Sequence, residues 1–176
     1  MKATKWKSYS LALIAGMSVL TACSSDDNND NGGNGNNGNG NEIENGTTLK
    51  GTITSDVTLT AGSTYKLSGE YIVEDGATLN IEAGVKIISI YDDIVDYILV
   101  KQGGKINAVG TSSAPIVMTS EKEEPGAWGG IHICGKAHTN AEGGKGSSEI
   151  GGATYGGNDD ADNSGTLKYV RVEYSG

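Results

Sequence analysis

From residue 49 the chain reads "LKGTITSDVTLTAGSTYKLSGEYIVEDGATLNIEAGVKIIS", short runs of Val, Ile, Leu, Thr and Tyr alternating with polar residues. Alternation of period two places every second side chain on one face of a strand. Glycines interrupt the runs every few positions, where turns are expected. The pattern predicts Val57, Leu59, Leu67, Ile72, Leu79, Ile81, Val85 and Ile87 on the buried side. No stretch of this region keeps a helical repeat for three turns, so the predicted class is all-β.

The turns echo one another. "DGATLN" (Asp75 to Asn80) returns as "QGGKIN" (Gln102 to Asn107), 27 residues on, and "TLTAG" (Thr58 to Gly62) returns within "TLNIEAG" (Thr78 to Gly84), with the leucines 20 apart. If "YDDIVDY" (Tyr91 to Tyr97) is an insertion of about seven residues, the first spacing also falls near 20. A unit of strand, glycine turn and strand repeated at this interval is the mark of a β-solenoid, in which each coil buries its apolar face only by stacking on the next. A β-sandwich with coincidental echoes is the competing fold. The chain has no phenylalanine, which predicts a thin core built from aliphatic side chains.

The start of the chain has another pattern. Lys2, Lys5 and Lys7 precede the apolar run "LALIAGMSVL" (Leu11 to Leu20), which is shorter than the roughly 20 residues a membrane span needs and has the layout of a secretory signal. "LTAC" (Leu20 to Cys23) resembles the lipobox of bacterial lipoproteins, which implies a signal peptide at 1–22 and acylation of Cys23. More than one acyl chain gives stable anchoring. The acids of "SSDDNND" resemble the surface-export signal of lipoproteins of the Bacteroidetes group; they also suit the start of a solvated linker. From Ser24 to Gly46 the chain is dominated by Asn, Gly and Asp, which cannot offset the entropy of ordering. Residues 23–46 are therefore expected to be a lipidated cysteine and a disordered tether, with an end-to-end distance on the order of 25 Å. The folded body is expected at 47–176.

The formal charge of −9 becomes −12 once the three leader lysines are removed, because residues 1–22 hold no acids. This balance argues against nucleic acid and anionic lipid surfaces as partners. It leaves the lipid on Cys23 as the route to a membrane. Cys134 has no second thiol to pair with once Cys23 is acylated, and in "GGIHICGK" it reads as a small buried hydrophobe.

Three segments, "LVKQGGKINAVGTSSAPIVMTS" (Leu99 to Ser120), "GAWGGIHICGKA" (Gly126 to Ala137) and "DDADNSGTLKYVRVEYSG" (Asp159 to Gly176), resemble β-helix surface lipoproteins of Bacteroidetes. These lie within the pectate-lyase-like group of right-handed parallel β-helices. The resemblance spans Leu49 to Gly176 and implies a right-handed parallel β-helix at the outer membrane, exposed at the cell surface. It does not decide chemistry. Within the body, residues 137–165 form a long polar, glycine-rich excursion, of a length that is usually functional or disordered. The strand pattern "TLKYVRVEYSG" follows, with Leu167, Val170 and Val172 as its apolar positions. An open last coil would expose core, so the expectation is a truncated solenoid of four to six coils.

Candidate chemistry is sparse. Asp160, Asp162 and Ser164 before Gly165 give alternate oxygen ligands and a turn glycine, the start of a Ca²⁺ loop. Position twelve of an EF-hand frame would be Arg171 rather than Glu, so the alternatives are a shorter Ca²⁺ loop and an Asx-rich turn. Ca²⁺ is the only cofactor suggested. Lyases on the resembling fold combine acidic Ca²⁺ ligands with a basic residue, and Arg171 is the single arginine. Alternation points Arg171 and Glu173 outward as a surface pair. Asp92, Asp93 and Asp96 are carboxylates on the expected bulge, for glycoside hydrolysis or simply a solvated turn. His132 and His138 match no metal spacing, and no G-x-S-x-G elbow is present. Trp128 in "GAWGG", Tyr91, Tyr97 and Tyr155 are candidate stacking faces for sugars, and Trp128 is alternatively a cover for a coil edge. The expected function is a non-catalytic structural, adhesive or glycan-binding role, with glycan or another surface protein as partner. A polysaccharide lyase or glycoside hydrolase is the alternative.

Overall fold

The computed structural model describes residues 41–176. The expected leader, Cys23 and the expected tether up to residue 40 lie outside the described residues. Within them the chain winds through stacked coils, each laying one strand on each of three faces. The first coil uses β1 (Asn41–Ile43) and then β2 (Thr48–Ile53), which bends to serve two faces. The second uses β3 (Val57–Leu59) and the similarly bent β4 (Thr64–Val73); the third, β5 (Thr78–Ile81), β6 (Lys86–Ser89) and β7 (Tyr97–Val100). The fourth has β8 (Lys105–Val109), β9 (Ile116–Ser120) and β10 (Ile131–Ile133). A hairpin of β11 (Gly146–Ser147) and β12 (Thr154–Tyr155) comes next, before β13 (Gly165–Lys168) and β14 (Val170–Val172) start a fifth coil.

Every pairing between coils is parallel. The first face runs β1-β3-β5-β8-β13. The second stacks the first half of β4 between β2 and β6, continuing through β9 to β14; the third stacks the second half of β4 between β2 and β7, continuing to β10. This is a parallel β-helix. The first strand falls inside the stretch whose composition suggests tether. Its place rests on backbone pairing to β3 and on Ile43 packing against the core, neither of which needs a hydrophobic run.

The echoes in the sequence are stacked coils, with one change of register. Asn80 lies beside Asn107 as the 27-residue spacing predicts, and the Asn107 amide donates to Asn80 Oδ1 at 3.3 Å. Gly103 lies against the Asp75 carboxylate, where an added Cβ would come within 1.7 Å of Oδ1; the echoed turn needs glycine there. The leucines 20 apart are not partners, because Val57 pairs with Leu79 and Leu59 with Ile81, a step of 22. The Ala-Gly turns set this register: Gly62 and Gly84 are in contact, and each lies three residues beyond the paired strand ends Leu59 and Ile81.

Inside, like positions pile up: Val57, Leu79 and Ile106 on the first face, Tyr65, Ile87 and Met118 on the second, Val73 and Val100 on the third. Full burial of such side chains is worth about 1.5–3 kcal/mol each. The core is not purely aliphatic. Tyr65, Tyr71 and Trp128 take the large interior positions that phenylalanine would otherwise hold. The Tyr65 hydroxyl donates to Ile43 O at 2.9 Å and accepts from Thr60 N at 3.0 Å, tying the first coil to the second. The Tyr71 hydroxyl has no partner among the described residues, and burial pushes its pKa up to about 12.

Ile72 departs from the alternation-based expectation. Its neighbours Tyr71 and Val73 face inward, so Ile72 faces outward, yet it is buried in a second cluster with Tyr97, Leu99, Cys134 and Ala153. The excursion after β10 covers that outer face, with Ile150 and Tyr155 packed onto it. Cys134 is the buried small hydrophobe that its sequence context predicts, and burial pushes its thiol pKa up. In β14, Val170 packs against the core as alternation predicts, whereas Val172, stacked on Met118, is exposed. No helix among the described residues is long and apolar enough to cross a membrane.

Candidate functional site

The corner between the second and third faces widens from coil to coil. In the first two coils it is a bend inside β2 and β4, at Lys50–Gly51 and at Ser68–Glu70; Gly51 and Gly69 supply the positive φ of 77° and 69° that the bends require. In the third coil residues 90–96 separate β6 from β7, and in the fourth residues 121–130 separate β9 from β10. The third-coil insertion leans onto the second coil, with Ile94 Cγ2 3.6 Å from where a Cβ on Gly69 would sit. It carries three large exposed apolar side chains: Tyr91 (56%), Ile94 (61%) and Val95 (58%).

Two grooves flank this ridge. One, of about 590 Å³, is lined by Lys50, Ser68, Glu70, Ile94, Val95 and Tyr97 with the backbone of Gly51 and Gly69. The other, of about 340 Å³, runs between Tyr91, Asp92, Asp93, Ile94 and Val95 on one side and Gly126 to Gly129 on the other. The larger is shallow and open to solvent, with apolar walls beside a few polar groups. Tyr97 Oη donates to Glu70 Oε2 at 2.9 Å and fixes that carboxylate at the wall; burial, then the Glu70 hydrogen bond, raises the Tyr97 pKa. Lys122 Nζ sits 4.4 Å over the Tyr91 ring and donates to its hydroxyl at 3.1 Å, which holds the ring in place.

Asp96 ties the ridge down. It is 1% exposed, not the solvated turn residue that the acid-rich segment suggests. Its Oδ1 accepts from Gly69 N at 2.5 Å, its Oδ2 from Ser89 Oγ at 2.7 Å, and its carbonyl from Gly129 N at 2.8 Å. One residue thus holds a wall of each groove. Burial raises its pKa, against the lowering effect of the Ser89 and Gly69 hydrogen bonds. Asp92 and Asp93, by contrast, are exposed, with Asp92 Oδ1 accepting from Ile94 N at 2.8 Å within the turn.

The other sequence-predicted residues lie elsewhere. Asp160, Asp162 and Ser164 are at the opposite end of the third face, at the stem of the excursion. Asp160 Oδ1 is 2.5 Å from His138 Nδ1, a contact that lowers the Asp160 pKa. Asp162 Oδ2 accepts from Lys136 N at 2.8 Å and from Ser164 Oγ at 3.3 Å. The two carboxylates thus engage different partners and close the loop onto residues 136–138. No group of three or more His, Cys, Asp or Glu among the described residues is arranged to hold a metal ion. Trp128 borders the smaller groove but is only 2% exposed, with Nε1 donating to Glu173 O at 2.8 Å. Tyr155 is half-buried and lies across Gly146, where any Cβ would meet its ring at 2.4 Å. Arg171 pairs with Glu173 on the outer surface, as alternation predicts. His132 Nε2 donates to Gly129 O at 2.9 Å, and the ring packs edge-on to Tyr97. Cys23 lies outside the described residues.

Ile94, Val95, Glu70 and Lys50 are not legible as site residues in the sequence. The one signal is an Ile-Val pair placed between acids in "YDDIVDY", apolar residues in a segment that otherwise reads as a solvated turn.

The stacked three-faced coils, all paired in parallel, define the protein as a parallel β-helix with grooves at one corner. The chain belongs to the pectate-lyase-like β-helix domain family, whose model matches residues 51–176. No curated protein matches the chain, and no solved structure does.

Proposed function

We propose that the protein is a lipid-anchored envelope protein of the outer membrane, displayed at the cell surface, whose β-helix binds glycan without cleaving it. The carrying observation is the corner ridge: Tyr91, Ile94 and Val95 stand exposed between two grooves whose walls also offer Glu70, Lys50 and Ser68. Sugar rings present apolar C–H faces and hydroxyl edges, and recognition of such amphipathic ligands needs apolar walls beside a few fixed polar groups. Anchoring through Cys23 and a polar tether would hold this ridge tens of ångströms from the membrane. Asp92 and Asp93 stand on one corner of the coil, Asp160 and Asp162 on another, and Arg171 pairs with Glu173; this arrangement speaks against the lyase or hydrolase alternative. The Ca²⁺ loop at Asp160, Asp162 and Ser164 is retained only as a structural proposal, a clamp on the excursion stem.

Two experiments test the reading. Retention and calorimetry on immobilised polysaccharides should show binding that Ile94→Ser weakens, with no change in polymer length on prolonged incubation. Shortened products would overturn the non-catalytic role. Palmitate labelling should be lost in Cys23→Ala, and labelling that persists would refute the anchor.

A further inference from the structure

Asparagine followed by glycine is prone to deamidation, because glycine has no Cβ to keep its nitrogen from the preceding side-chain amide. The glycine nitrogen, losing its proton, attacks asparagine Cγ; the Cγ–Nδ2 bond breaks, ammonia leaves and a cyclic imide forms. Water then opens the imide to aspartate, or to isoaspartate with the main chain rerouted through the side chain. Among the described residues one such pair occurs, Asn45–Gly46, inside the stretch whose composition suggests tether. It is exposed, so water reaches it. The fold nonetheless holds both reacting groups. Thr47 N donates to Glu44 O at 3.2 Å, and of the two central residues only Gly46 has a positive φ, 86°, which makes the turn type II. The ψ of about +120° at the second residue of such a turn rotates the Gly46 nitrogen away from Cβ, whereas ring closure needs the two eclipsed. The second coil clasps the turn at one residue: Gly46 N donates to Thr64 O at 2.8 Å, and Asn45 Oδ1 accepts from Thr64 N at 2.8 Å. Beside this clasp Tyr65 Oη donates to Ile43 O at 2.9 Å, and Lys66 N donates to Thr47 O at 3.1 Å.

We propose that Asn45–Gly46 is a deamidation site gated by the fold, closed while the first coil is clasped to Thr64 and open when that coil peels from the second. The first coil is the one placed to peel: among the described residues β1 pairs only with β3, and β2 only with β4. The two products differ in effect. Aspartate keeps the acceptor for Thr64 N and adds one negative charge. Isoaspartate draws the side chain into the main chain and lengthens the link between β1 and β2, so the first coil cannot close again in register. The site thereby turns a passing opening of the first coil into a permanent change.

The test incubates the full-length chain in neutral detergent micelles, and a synthetic peptide of residues 41–50, in the same mildly alkaline buffer. Digestion of the chain at glutamates releases residues 45–70, in which Asn45 is the single asparagine, and mass and chromatography then count aspartate and isoaspartate. The folded chain is expected to deamidate at Asn45 about ten-fold or more slowly than the peptide. Tyr65→Phe, which removes the hydroxyl on Ile43 O, is expected to speed the reaction several-fold with the circular dichroism of the coils unchanged. Equal rates in chain and peptide overturn the gate, and a peptide that stays intact overturns the site. A folded Tyr65→Phe that deamidates at the parent rate overturns opening of the first coil as the route. Hydrogen exchange at Gly46 in the parent chain reads the same route without a variant: a protected amide beside rapid deamidation overturns it.

Discussion

Two departures from the regular coil, residues 90–96 and the excursion after β10, invert what their compositions suggest. The long one is polar and rich in glycine, yet it folds back on the third face and seals Ile72, Leu99 and Cys134 beneath Ile150, Ala153 and Tyr155. Its ordering combines the β11–β12 hairpin with ties across the fold: Gln102 Nε2 donates to Gly135 O and Gly156 O at 2.8 Å, and Asp162 accepts from Lys136 N. The short one carries three acids, yet it buries Asp96 and exposes Tyr91, Ile94 and Val95. Length and polarity therefore do not tell a cover from a display. Which face of the coil lies below decides it: the excursion crosses an apolar outer face that needs covering, and the insertion crosses a bend of glycines that leaves its side chains to solvent.

That contrast can be broken at several points. The largest effect is expected inside the coils, where both departures are irrelevant. Leu79→Ala, in the fully buried first-face ladder, should destabilise by about 3 kcal/mol in chemical denaturation, as large-to-small core changes do. Leu99→Ala beneath the excursion should cost about 2 kcal/mol, and it should speed alkylation of Cys134 by loosening the cover above it. An unchanged alkylation rate would mean that the cover is held by its stem alone. Tyr155→Ala should raise the same rate through loss of its packing, with a smaller stability cost of about 1 kcal/mol.

Asp96 gives a pH test of the ridge. Its pKa in the fold lies above the ordinary 3.8, so the fold binds its proton more tightly than the unfolded chain does. Its contribution to stability is greatest below the unfolded value and declines as pH rises through the folded one. Asp96→Asn, which can still accept from Gly69 and engage Ser89, should lack this decline when unfolding is followed from acid pH upward through the carboxylate range. Identical pH slopes in the two proteins would rule out burial of the charge. The smallest stability effect is expected at the display itself: Ile94→Ser should shift stability by less than about 0.5 kcal/mol.

Much of the fold is legible in the sequence. The alternation identifies the strands, and the Asp75–Asn80 and Gln102–Asn107 echo identifies a true pair of stacked turns. The leucine echo misjudges register by two residues, because leucine suits any inward position whereas the Ala-Gly turns fit in only one. Ile72 is misplaced for a related reason. Alternation says which side a residue takes relative to its neighbours, and it cannot say that an outer face will be covered. The site is less legible still. Its walls come from three coils, Lys50, Ser68–Glu70 and residues 94–97, and no sequence spacing reports that a loop leans back over the coil before it.

Taken alone, the chain of residues specifies a body that is all-β, repetitive and stacked, since period-two alternation with glycine turns at near-constant spacing admits few other packings. It also specifies a strongly acidic composition, and its lipobox-like "LTAC" is the ground for the lipid attachment proposed at Cys23. Packing of coil on coil was needed to settle which polar segment covers and which displays, that Asp96 is buried while Asp92 and Asp93 are not, and that the corner opens into grooves. The reason is physical: inward positions repeat along the chain and can be counted, whereas the fate of an outward position depends on what another coil places against it.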